Sequence, residues 1–280
     1  MATTRSLRVV NSVSAVRAAV ATWRAAGEGV AFVPTMGNLH AGHMSLAALC
    51  AQAAPRVVMS IFVNPTQFGP NEDFAAYPRT LAADEALVAA AGNVDLLFVP
   101  DAAEIYPFGL EQAVRVQLPA LSRELDGASR PGHFDGVAIV CLKLFAMVQP
   151  DVVFLGQKDA QQVAVLRQLV RDVNLRLELR VVPTVRDLNG LALSSRNARL
   201  SIEERSRAVA IPLALVAGLT AYRAGHDPVA AAEAALRGLG VDYVGMVTFD
   251  GQPTLLIAAR AGATRLIDNV PLDQPELAGL

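Results

Sequence analysis

The sequence predicts an α/β protein, with a Rossmann-like parallel sheet flanked by helices and a smaller α+β unit after it. Three observations carry that reading. Short runs rich in Val, Ile, Leu and Phe recur at 30–33, 56–63, 94–99, 151–155 and 177–182, each of strand length and each bounded by turn residues. Helix-like segments separate the earlier runs, and strand, helix and strand in that order imply right-handed parallel crossovers. Two of the runs end in a glycine-bearing turn that opens a helix, at Thr35-Met36-Gly37 and at Gly156-Gln157-Lys158.

Taken in order, Val13, Val16, Val20 and Trp23 recur at helical spacing before Gly27, which stands where a C-terminal cap belongs. Helices are expected over 46–54 and 81–91, and over 136–148, where only Lys143 interrupts an apolar surface that calls for deep packing. Val114 to Leu118 alternates like a short exposed strand. Beyond 182 the grammar changes. Asn189-Gly190 is a hairpin signal, Ser201-x-x-Glu204 a capping box, and Asp227-Pro228 a cap with proline in the first turn. Strands are expected over 241–249, 254–258 and 264–270. These changes divide the chain into a Rossmann-like domain at 1–184 and a small α+β domain at 185–280.

Composition narrows the function classes. The chain has 280 residues, 53% of them hydrophobic, and a net charge of −2, so it has core enough to fold and no global attraction to nucleic acid. The longest apolar stretch, 137–148, is too short to span a bilayer and contains Lys143. No basic region followed by an apolar core opens the chain, and a soluble cytoplasmic protein with no nucleic-acid or membrane partner is expected. Cys50 and Cys141 lie in apolar helical segments with no ligand-spaced neighbours and are expected to be reduced core residues.

The chemistry concentrates at the predicted strand ends. A strand, a turn and a helix start form an anion site, because first-turn amides lack intrahelical acceptors and the helix dipole is positive there. His40 and His43 are three apart and share a helical face. Gly37 and Gly42 have the glycine spacing of a phosphate-cradling P-loop, but the Lys and Ser/Thr that should follow are His43 and Met44, which excludes that motif. Lys158 opens the second such site with a compact positive charge suited to phosphate. Ser194, Ser195 and Arg196 place two hydroxyls and a guanidinium in sequence for a polyphosphate, though such a triplet is also common in loops. Asn64 and Gln67 follow the second strand in a proline-rich loop, and spacing alone leaves them open to ordinary turn chemistry. Asp84 falls at a helix start, where the dipole already favours a carboxylate. Arg130 and His133 either line a site or anchor their glycine-rich loop.

Pro34-Thr35-Met36-Gly37-x-Leu39-His40-x-Gly42-His43 resembles the signature of the pantoate–beta-alanine ligases, within the His-x-Gly-His nucleotidyltransferase superfamily. Phe62-Val63-Asn64-Pro65-x-Gln67-Phe68, Arg130-Pro131-Gly132-His133-Phe134, Gly156-Gln157-Lys158-Asp159 and Leu193-Ser194-Ser195-Arg196 are similar to further family segments. The resemblance implies an ATP-dependent ligase that joins (R)-pantoate to beta-alanine through pantoyl adenylate, releasing pyrophosphate and AMP. It implies ATP contacts from Met36, Gly37, His40, His43, Gly156, Gln157, Lys158, Asp159, Val185, Leu193, Ser194, Ser195 and Arg196. Asn64, Gln67 and Gln162 would bind the acyl substrates. His43, with His40 beside it, would donate to the α-phosphate; imidazolium would serve best, and phosphate proximity should raise its pKa. Lys158, Ser194, Ser195 and Arg196 would stabilise phosphates bridged by Mg2+. Asp84 would support the metal, through water, beside a position where the family commonly has a second acidic residue and this chain has Ala83. A homodimer is implied as well. A nucleotidyltransferase that makes a dinucleotide-like product would share His-x-Gly-His without needing the 64–68 segment, and a silent nucleotide-binding protein ought to have lost phosphate donors that are all present.

Overall fold

The computed structural model describes residues 5–274 except 71, 73 and 119. Strands β1 (Arg8–Val10), β2 (Val30–Thr35), β3 (Arg56–Ile61), β4 (Leu96–Phe98), β5 (Val152–Gly156) and β6 (Glu178–Val182) form one sheet in the order β1-β4-β3-β2-β5-β6. Every pairing in it is parallel. Both faces are covered, which explains why its central strands read as continuous apolar runs. Along β2, Val30 and Phe32 enter one hydrophobic cluster while Ala31 and Val33 enter the other.

Helices α1 (Val13–Ala25), α2 (Ala41–Ala53), α3 (Leu81–Ala91), α4 (Ala102–Ile105), α5 (Asp126–Ser129), α6 (His133–Val148) and α7 (Ala160–Asp172) occupy the connections. Residues of α1, α6 and α7 pack on one face and residues of α2 and α3 on the other. Cys50 and Cys141 are free thiols in these two layers, and burial pushes both up to about 12. They are core residues, as expected.

After β6, helices α8 (Ile202–Ala208), α9 (Ala210–Arg223) and α10 (Pro228–Ala235) precede an antiparallel sheet of β7 (Gly240–Phe249), β8 (Gln252–Ala261) and β9 (Thr264–Pro271). Leu191, Ile211, Leu215, Leu255 and Ile257 belong to a hydrophobic cluster of their own there. The expected hairpin is present as a bridge between Arg186 and Ala192, with Gly190 at a φ of +80°.

Four local readings change. Val114 to Leu118 is not a strand: Val116 and Leu118 pack on the core while Val114 stays exposed, so the alternation is a burial pattern without a ladder. Strand β1 is unexpected because its three residues include only one buried side chain. Helices α2 and α6 begin at Ala41 and His133, earlier than the apolar periodicity indicates: His40 caps the first turn of α2, and α6 opens directly after Gly132, whose φ is +80°.

Gly136 on α6 is a point of close approach. A Cβ there would lie 2.3 Å from the Thr66 carbonyl oxygen and 2.6 Å from the Gln67 Cα. Gly136→Ala is expected to destabilise the fold by ~2 kcal/mol and lower Tm by roughly 5 °C, measured by thermal denaturation. A Tm within about a degree of wild type would contradict the contact.

Candidate active site

The order of the large sheet reverses at the β2–β5 pair: β3, β4 and β1 lie on one side and β6 on the other. Ligands of open parallel sheets bind outside the carboxyl ends at such a point. Both phosphate-like turns leave the sheet there.

At the end of β2, the Thr35 hydroxyl donates to the Ser60 carbonyl at 2.6 Å. Gly37 and Asn38 then take φ values of +80° and +49°. The Asp84 carboxylate fixes this turn, accepting from the Asn38 and Leu39 amides at 2.9 and 2.8 Å and from the Thr80 hydroxyl at 3.2 Å. His40 caps α2: its Nδ1 accepts from the Gly42 amide at 3.2 Å, and His43 Nδ1 accepts from the His40 amide at 3.3 Å. The two rings lie 4.1 Å apart. With both Nδ1 atoms accepting, each neutral imidazole carries its proton on Nε2, as a donor.

Packing within the protein itself works against the imidazolium form. Burial, then Lys158, lowers His40 to about 4; burial, then His40 and Lys158, lowers His43 to about 3. Both rings are therefore neutral at physiological pH. They offer N–H dipoles rather than charges.

At the end of β5, the Lys158 Nζ donates to Asp159 at 3.1 Å and its side chain is one-fifth exposed. Burial alone would raise the Asp159 pKa, but Lys158, with Arg196 and His133, outweighs it and holds the group below its ordinary value. The third segment is stitched to the first. The Ser195 hydroxyl donates to the Asn38 carbonyl at 3.0 Å, and the Asn38 amide group donates back to the Ser195 carbonyl at 3.2 Å. The Ser194 hydroxyl accepts from the Arg196 amide at 3.2 Å, and the Leu193 amide donates to the Val185 carbonyl at 2.9 Å.

The loop after β3 supplies neutral polar groups. Asn64 is buried: its Nδ2 donates to the Gly136 carbonyl at 3.0 Å and to Gln67 Oε1 at 3.2 Å, and its Oδ1 accepts from the Tyr106 hydroxyl at 2.8 Å. Gln67 Nε2 is directed at Met36 Sδ, 3.1 Å away. Arg130 grips Glu72 through two bonds of 2.7 and 2.6 Å and donates to His133 Nε2 at 2.8 Å. His133 Nδ1 in turn donates to the Gln67 carbonyl at 2.8 Å. Burial, then Arg130, lowers His133 to about 4, which keeps it neutral in this chain of bonds.

These segments enclose a cleft of about 850 Å³. Met36, His40, His43, Gly156, Lys158, Asp159, Val185, Leu193, Ser194, Ser195 and Arg196 line it, with Gln67 and Gln162. Gly37, Asn64, Asp84 and Gln157 do not. Asn64 sits beneath the cleft and orients Gln67, Asp84 fixes the 37–39 turn, and the Gln157 side chain turns to Asn269 at 3.2 Å. Arg130 and His133, left open by sequence, both line the cleft and anchor the Gln67 loop. Gln161, which sequence passed over, holds the Leu121 and Glu124 carbonyls and the Asp126 amide. Asn38 was also missed, although Gly37-Asn38 is itself a turn signal.

The three depressed histidines make stability depend on pH. Their folded pKa values of about 3 and 4 lie below the ordinary 6.5, so the unfolded chain binds more protons in between. Their contribution is fully present above 6.5 and is lost as pH falls toward the folded values. Tm is expected to decline from pH 7 to pH 5 and to decline less when His133 is replaced by Asn. Equal declines in both proteins would contradict the His133 assignment.

Comparison with known proteins agrees with this geometry. The family model described as pantoate-beta-alanine ligase matches residues 8–271. A pantothenate synthetase of Shewanella amazonensis is 51% identical over 269 residues, covering 91% of this chain and 95% of that protein. One of Thioalkalivibrio sulfidiphilus is 47% identical, covering 96% and 99%. The crystal structure of the Thermus thermophilus pantothenate synthetase matches with a TM-score of 0.88 at 43% identity, covering 95% of this chain and 99% of that one. That of the Francisella tularensis pantoate-beta-alanine ligase, complexed with beta-gamma ATP and beta-alanine, matches with a TM-score of 0.82 at 32% identity, covering 96% and 99%. With the family model matched over nearly the whole chain and the fold shared with these structures, the chain belongs to the pantoate–beta-alanine ligase family.

Proposed function

We propose that this cleft joins (R)-pantoate to beta-alanine in two steps, with ATP as the activating co-substrate. A pantoate carboxylate oxygen attacks the α-phosphorus, forming the acyl–O–P bond as the α–β P–O bond breaks and pyrophosphate departs. The beta-alanine amine then attacks the acyl carbon, forming the amide, losing a proton and releasing AMP. The observation that carries this reading is the convergence of the His40–His43 helix start, the Lys158 turn and the Ser194–Arg196 loop on one cleft that also holds Gln67 and Gln162.

His43 and His40 donate from Nε2 to the α-phosphate, where charge builds in the transition state. Because the rings are neutral and held by backbone bonds, they need no proton uptake before they act. Lys158, Ser194 and Arg196 hold the β- and γ-phosphates, while Ser195 serves chiefly by tying its loop to Asn38. The backbone at Met36, Gly37, Gly156, Gln157, Val185 and Leu193, with Asp159, cradles the nucleotide. Gln67 and Gln162 bond the pantoate hydroxyls and carboxylate without adding charge, and Asn64 supports Gln67 from below. The 185–280 unit closes over the 1–184 unit as a lid that excludes water from the adenylate.

Mg2+ enters this reading on the triphosphate. Among the described residues no group of three or more His, Cys, Asp or Glu side chains is placed to hold a metal, and the oxygens of Asp84 already accept from the 38–39 turn and Thr80. The donor set does not fit direct ligation, and Asp84 is left a role only through water. The homodimer rests on the family resemblance and the cytoplasmic location on the composition of the chain, and sedimentation at twice the chain mass is the outcome expected of the dimer.

AMP release should require ATP, magnesium, pantoate and beta-alanine together. His43→Ala should slow adenylate formation by roughly 10²–10³-fold, measured as pyrophosphate release in a single turnover. Wild type that makes pyrophosphate but no AMP with both substrates present would defeat the reading.

A further inference from the structure

We propose that Asn269 is a positioning residue for Lys158, acting from β9 on the turn that aims the lysine into the cleft. The proposal rests on the ATP-dependent reading above. Asn269 is only 2% exposed. Its Nδ2 donates to the Gln157 carbonyl at 2.9 Å and to the Lys158 carbonyl at 2.8 Å, and its Oδ1 accepts from Gln157 Nε2 at 3.2 Å. A primary amide has two donor hydrogens and one acceptor oxygen. All three functions of this one close on consecutive residues of a single turn.

The geometry gives the amide a specific task. Residues 157–159 form one short 3-10 turn between β5 and α7, and among the described residues the side-chain bond recorded to the Lys158 carbonyl is that of Asn269. The lysine stem is flexible, so the aim of its ammonium group depends on where its backbone begins. Asn269 sets that starting point from a strand of the C-terminal sheet. The neighbouring Asp268 carboxylate accepts from the Asn269 backbone N–H at 2.8 Å and pairs with Arg186 at 2.5 and 2.9 Å. Arg186 also donates to the Gly190 carbonyl at 2.9 Å, in the hairpin that leads to Ser194 and Arg196. One buried strand segment thereby sets the spacing between two phosphate-binding elements. Only an amide does this. A carboxylate at 269 would face two carbonyl oxygens with acceptors.

The test is a double-mutant cycle on the full chain, with ATP and magnesium as the probe and affinity read by calorimetry. Asn269→Asp is expected to weaken ATP binding about tenfold. In a Lys158→Ala background the same change should cost less than about twofold, because the group it positions is gone. Gln157→Ala removes only the tether on Oδ1 and covers the case in which Asn269→Asp does not fold; it should weaken binding about threefold, again only when Lys158 is present. Equal losses in both backgrounds would assign Asn269 to general folding and overturn the proposal, as would unchanged affinity in either variant. Wild type that binds ATP but forms no pantothenate would defeat the ligase reading instead, and the binding cycle would still decide the role of Asn269.

Discussion

The parallel pairing of β2 with β5 is the constraint on which the site depends. Ala31 pairs with Val152 and Phe32 with Val153, so the two strands end at the same edge. Parallel strands cannot be joined by a tight turn, and each must run into a helix that covers a face. The two helix starts therefore arrive side by side, with their positive dipole ends toward one space. The Ser194–Arg196 loop needs a separate device to join them, and the reciprocal bonds between Asn38 and Ser195 provide it.

Burial then decides the electrical character of the cleft. The same packing that brings His40, His43 and Lys158 together desolvates the imidazoles and sets them beside a cation, and both effects drive them neutral. The histidines contribute oriented dipoles, and charge comes from other lining side chains, among them Lys158, Asp159 and Arg196. Such preorganised donors need no reorganisation when charge develops. On the acyl side the pattern is similar: Glu72, Arg130 and His133 form a bonded relay that ends on the Gln67 backbone, so charge supports a neutral amide instead of facing the substrates.

Much of this was legible from sequence because strand ends carry local signals. The apolar runs at 30–33 and 151–155 and the glycine turns after them placed His40, His43 and Lys158 on one edge before any coordinates. What stayed hidden were long-range partners. The Asp84 carboxylate lies 46 residues from Asn38 in sequence, and at a helix start its local chemistry already has a sufficient explanation in the dipole. The bonds from Asn269 to Gln157 and Lys158 span more than a hundred residues, and no periodicity encodes them. The pull of the packed protein toward neutral imidazoles was hidden for a related reason, since desolvation is a property of the packed site and not of a motif. Val114 to Leu118 shows the converse: an alternating pattern reports burial, and a strand also needs a neighbour.

The central claim is that pantoate is activated at the α-phosphorus in this cleft. The most direct measurement uses pantoate with heavy oxygen in its carboxylate and follows the label after a single turnover with ATP and beta-alanine. The account predicts one labelled oxygen in AMP, because the attacking oxygen stays on phosphorus when the amine takes the acyl group. Unlabelled AMP, or label found in inorganic phosphate alongside ADP, would contradict it.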